Sequence, residues 1–135
     1  MEAHQSLIEE LNQISYYGER IGLRIENGWF ILGKPIGGRR SKKYNLSLAI
    51  NNHWHSVSNN RYNVKGIIIH DAVISGRRNL EEVQWFYDLG FTVELYDCDI
   101  DLNLLKDNFK SKTGYLNHTG QLHVCKNGEC LVSYY

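Results

Sequence analysis

The stretch from Lys65 to Tyr96 constrains this chain more than any other. It opens on a nearly continuous apolar run, Gly66-Ile67-Ile68-Ile69-His70-Asp71-Ala72-Val73-Ile74, and closes on Phe91-Thr92-Val93-Glu94-Leu95-Tyr96. Between the two, Leu80, Val83 and Phe86 recur at helical spacing, Asn79 with Glu82 three residues on supplies an N-cap signal, and Gly90 supplies a stop. The spacing predicts a helix over residues 80–89 and a central strand over 65–74 buried on both faces. Two strands joined by a helix pair in parallel when they share a sheet, because the helix carries the chain back to the starting edge.

Turn signals place the flanking elements. Asn27-Gly28 joins residues 21–26 to 29–32 as a hairpin, with Ile25 opposite Phe30 and Leu23 opposite Leu32 on one face, and Trp29 and Ile31 beside Glu26 and Arg24 on the other. Asn51-Asn52 suggests a second hairpin, from 46–50 to 53–57. Asn127-Gly128 makes a third near the C-terminus, setting Cys125 directly opposite Cys130. Further helices are expected over 7–15, where Ser6 and Glu9 form a capping box, and over 101–109, with Leu102, Leu105 and Phe109 on one side. The expectation is a single α+β domain over residues 1–135. Its sheet is mixed or antiparallel, with about three helices, hairpins near both termini and a central strand–helix–strand unit.

Composition agrees with that reading. A chain of 135 residues, 42% hydrophobic and 22% charged, has enough apolar area to offset chain entropy. No segment has the length and apolarity of a membrane span, and Met1-Glu2-Ala3-His4 lacks the basic and apolar regions of a signal peptide, so a cytoplasmic location is expected. The three cysteines show no zinc-ligand spacing. Cys125 and Cys130 are close enough for a bridge, but free thiols are expected in a reducing compartment, and Cys98 reads as a small buried apolar residue.

Zero net charge conceals segregation. Residues 1–33 sum to −3, residues 34–78 to +8, residues 79–109 to −7 and the last 26 to +2. Such asymmetry points to an anionic partner. Within the basic stretch, Ile36-Gly37-Gly38-Arg39-Arg40 and Ile74-Ser75-Gly76-Arg77-Arg78 both put Gly-Arg-Arg where an apolar run ends. Guanidinium groups offer planar forks of donors that match phosphate, and Arg77 and Arg78 lie just ahead of the helix start expected at Asn79. Glu81 and Glu82 would occupy its first turn and offset part of the attraction. The expected ligand-binding set is Lys34, Arg39, Arg40, Lys42, Lys43, Trp54, Arg77 and Arg78. Trp54, Tyr44 and Tyr62 add faces for base stacking.

Two other chemistries compete. His53, His55, His118 and His123, acting with arginine, would suit metal-free ribonuclease or toxin chemistry if two imidazoles converged. Asp97, Asp99 and Asp101 follow a strand and could hold a hard divalent cation, although Leu102 and Asn108 stand where an EF-hand needs glycine and glutamate. The acidic stretch around them could instead mimic nucleic acid and inhibit a nucleic-acid enzyme. No P-loop, nucleophile elbow or dinucleotide fingerprint is present. The sequence therefore favours a cofactor-free, non-catalytic protein that binds a nucleotide, a nucleic acid or a protein's acidic face. An inhibitor or immunity protein of a phage or mobile element would have this character. Edge strands with Trp29, Tyr134 and Tyr135 would also suit homodimerisation.

Overall fold

The structure is a computed structural model, and it describes residues 24–33, 44–45 and 64–135. Two sheets organise them. The larger contains β1 (Arg24–Glu26), β2 (Trp29–Leu32), β4 (Gly66–His70), β6 (Thr92–Tyr96), β8 (Gln121–Lys126) and β9 (Glu129–Tyr134), in that spatial order. Neighbours from β2 to β8 pair in parallel, and the hairpins β1–β2 and β8–β9 close the two edges antiparallel. The smaller sheet aligns β3 (Tyr44–Asn45), β5 (Ala72–Ile74) and β7 (Asp99–Ile100), all parallel. Helices α1 (Gly76–Asp88) and α2 (Leu102–Asn108) follow β5 and β7.

The expected α+β fold with a mixed sheet is present. Antiparallel pairing is confined to its edges, and two helices rather than about three stand among the described residues. The expected helix at 7–15 and the hairpin at 46–57 lie outside them. The N-terminal hairpin has the expected register, Ile25 with Phe30 and Glu26 with Trp29.

The long central strand is corrected. Asp71 adopts φ 59°, a left-handed conformation that Asp tolerates better than most residues, and it divides the run into β4 and β5 in different sheets. Asp97, with φ 54°, makes the same break between β6 and β7. Each uses its N–H alike: Asp71 donates to the Tyr96 carbonyl at 3.0 Å and Asp97 to the Cys125 carbonyl at 3.0 Å. The chain thus coils twice through the same sequence of strand, left-handed Asp, short strand and helix. Such stacked units bury a face that none could bury alone.

The register aligns the core in rows. Phe30, Ile67, Val93 and Leu122 form one row and Leu32, Ile69, Leu95 and Val124 the next, none more than 2% exposed. Against them pack Leu80, Val83, Phe86 and Tyr87 of α1 and Leu105 of α2. Burying each large aliphatic or aromatic side chain contributes about 1.5–3 kcal/mol before chain entropy is subtracted. Cys98 is buried as expected, and its Sγ lies 3.6 Å from the Ile69 carbonyl, linking one coil to the next.

Helix α1 starts earlier than predicted. Ser75 is its N-cap and Gly76, with φ +71°, turns the chain into the first turn. Asn79 is not the cap. It lies inside the helix, where its Oδ1 accepts from the Ser75 N–H at 2.9 Å and its Nδ2 donates to Glu82 at 3.1 Å. Asp101 does cap α2, accepting from the N–H groups of Asn103 and Leu104 at 2.9 and 3.1 Å.

Candidate functional site

The start of α1 decides where its charges fall. Arg77 and Arg78 lie within the first helical turn, not ahead of it, and that turn contains no acidic residue; Glu81 and Glu82 come later. A helix N-terminus favours anions and disfavours cations by roughly 0.3–1 kcal/mol each. Both arginines are exposed. Neither forms an ion pair or hydrogen bond among the described residues.

Arg77 begins a stripe that continues through Leu80, Glu81, Gln84 and Asp88, positions that share one helix face. Asn108, Phe109, Lys110 and Lys112 face this stripe across a groove of about 380 Å³. Its far wall is held rigidly. The Gln84 carboxamide donates to the Lys110 carbonyl at 2.9 Å and accepts from the Lys110 N–H at 2.8 Å. The Tyr87 hydroxyl, on a fully buried ring, accepts from the Lys112 N–H at 2.7 Å and donates to the Tyr135 carbonyl at 3.1 Å. Lys112 pairs with Asp88 at 3.2 Å, and Arg77, Glu81 and Lys110 complete the charged lining. Leu80 and Phe109 make the floor apolar. No known protein family, curated protein or solved structure matches the chain.

The other expected binding residues, Lys34, Arg39, Arg40, Lys42, Lys43 and Trp54, lie outside the described residues. So do His53 and His55. The remaining two histidines do not converge. His118 packs at a tilt against Tyr87 on the side of the sheet covered by α1, with ring centroids 4.5 Å apart. His123 lies on the opposite face, its Nδ1 2.8 Å from the Ser133 hydroxyl and its Nε2 2.9 Å from Gln121 Oε1. The strand places it there because its neighbours Leu122 and Val124 both point into the core. The three aspartates have separate structural tasks. Asp97 turns the chain and accepts from the Asn127 N–H at 2.8 Å, Asp99 belongs to β7, and Asp101 caps α2. Among the described residues no three His, Cys, Asp or Glu side chains come together as a metal site.

The face of the large sheet opposite α1 and α2 carries a second polar cluster. Tyr96 stacks on His70 at 5.2 Å and donates its hydroxyl proton to Glu94 at 2.5 Å. Burial, then the hydrogen bond and charge of Glu94, raise the phenol well above its ordinary range. Cys125 lies beside Tyr96 in the register and opposite Cys130.

Sequence reasoning singled out Arg77 but passed over Lys110, Gln84 and Phe109. The polar spacing Arg77, Glu81, Gln84 and Asp88 was available as a helix-face signal. The wall opposite was not, because Gln84 and Lys110 are 26 residues apart and meet only through the fold.

Proposed function

We propose that this chain is a small non-catalytic binding protein that holds an anionic, phosphate-bearing ligand in the groove beside α1. The observation that carries this reading is the Arg77 guanidinium, without an ion-pair partner among the described residues, in a helical first turn without acids, with Lys110 in the lining of the same groove. A volume of about 380 Å³ falls within the range of small-molecule sites, roughly 300–1,000 Å³, and suits one nucleotide-sized group. Arg77 would grip a phosphate in two-point fashion while the helix N-terminus favours its charge, and Phe109 and Leu80 would cover an apolar or aromatic portion. Arg78, one residue on, would extend the contact along a phosphate chain. Occupancy rather than chemistry would be the mode of action, as for an inhibitor.

Calorimetric titration with a nucleoside triphosphate and with a short single-stranded oligonucleotide tests this reading. Losing a charge-assisted hydrogen bond costs about 1.5–3 kcal/mol, so Arg77→Ala should weaken binding roughly 10- to 150-fold. Lys110→Ala should weaken it less, and Lys126→Ala, on the distant hairpin, should leave it unchanged. Affinity should fall as salt rises. Equal affinity for wild type and Arg77→Ala, with either ligand, would refute the assignment.

A further inference from the structure

We infer that Cys125 and Cys130 form a reversible thiol–disulfide site, closed by a low-molecular-weight disulfide and read out at His123 across strands β8 and β9. The pair is placed by the turn. Asn127 and Gly128 have φ of 52° and 78°, the two left-handed residues of a type I′ hairpin, and Lys126 opposes Glu129 beside them. The next pair outward, Cys125 and Cys130, therefore occupies a non-hydrogen-bonded position, where Cα atoms approach to about 4.5 Å and side chains stand on one face. That separation lies within disulfide reach. Both thiols are free, Cys130 is exposed and Cys125 is half-buried.

Their environments differ in a way that orders the chemistry. Burial, the hydrogen bond with Cys130 and the negative charges of Glu94 and Asp97 push the Cys125 thiol up to about 11. Cys130 is therefore the attacking group. Its thiolate attacks one sulfur of the small disulfide, forming a mixed disulfide and expelling one small thiolate. Cys125 then gives up its proton and attacks Cys130 Sγ, forming the Cys125–Cys130 bond and releasing the second thiolate. The protein loses two protons and two electrons, and the oxidant is reduced to two thiols.

Closing the bond has a defined effect on its neighbours. Cys130 Sγ lies 3.3 Å from Ser133 Oγ, and that hydroxyl is bonded to His123 Nδ1. Oxidation removes the Cys130 proton and ties its sulfur to Cys125, which alters the contact with Ser133 whichever atom donates it, and the imidazole senses the change through one hydrogen bond.

The test uses the full chain equilibrated with mixtures of oxidised and reduced glutathione, followed by intact-mass measurement and alkylation. The wild type should lose two hydrogens, retain no glutathione and protect both hairpin thiols, with reversal on adding reductant. Cys125→Ser should instead accumulate a stable glutathione adduct at Cys130. Cys130→Ser should react about tenfold more slowly, because little thiolate is available at Cys125. The imidazole resonances of His123 should shift on oxidation of the wild type and return to their starting positions on adding reductant. A wild type that stays reduced at every ratio, retains the adduct, or forms disulfide-linked dimers instead would overturn the inference.

Discussion

Asn79→Ala is the substitution that bears most directly on the start of α1, and its cost follows from two contacts. The Asn79 side chain is 3% exposed. Its Oδ1 takes the Ser75 N–H at 2.9 Å, which substitutes for the missing side-chain cap, and its Nδ2 reaches Glu82 at 3.1 Å. Each such bond contributes about 0.5–1.5 kcal/mol net, so losing both costs about 2 kcal/mol. A chain of 135 residues has an unfolding entropy of about 0.28 kcal/mol/K, so the midpoint should fall by roughly 7 °C. Asn79→Asp separates the two contributions. It keeps an acceptor for Ser75 but sets a carboxylate against Glu82, so its loss should be partial at neutral pH. That repulsion raises the carboxyl pKa in the folded state, and stability should therefore return as the pH falls into the carboxylate range. Thermal melts followed by far-UV circular dichroism measure both variants. A fall of less than about 2 °C for the alanine variant would refute the reasoning, given the sensitivity of a domain this size. So would identical losses for both variants at neutral pH.

Other consequences are open to measurement. Gly120→Ala should destabilise the chain by about 1–3 kcal/mol, since an added Cβ would run into the Tyr87 backbone carbonyl, and an unchanged urea midpoint would contradict the packing described. Stability should also decline in alkali. The Cys125 thiol rises from its ordinary 9.0 to about 11 on folding, so its contribution is complete below pH 9.0 and disappears as the pH climbs through 11. Tyr96 and Tyr134, both raised chiefly by burial, act in the same direction at still higher pH. Urea titrations at pH 8 and 10.5 should show a smaller decline for Cys125→Ser than for wild type, and parallel declines would remove Cys125 from the account.

Local features were legible where short-range chemistry decides them. Both Asn-Gly hairpins were readable because only a few residue types tolerate two successive left-handed positions. Helix α2 was readable from the spacing of Leu102 and Leu105, and the parallel β4–β6 pair followed from the helix between its strands. The start of α1 was misread because Asn79 satisfies the composition of a cap while working from inside the helix. The split of the central strand was missed because Asp71 sits within an apolar run, and its turn becomes apparent only beside the matching turn at Asp97.

The site followed the same division. Arg77 was identifiable from its type and its place after an apolar run, both local properties. Its position in the first turn and its groove are not local. They arise because Gln84 and Tyr87 bind the backbone at Lys110 and Lys112 from residues more than twenty positions earlier. The order of neighbouring residues by itself determined the turns, the helix faces and the inward or outward direction of each strand residue, because these depend on torsional preference and on a period of two or 3.6. Tertiary structure alone decided which of those faces meet. Packing two coils and their connecting helices into one core sets distances that no local preference encodes.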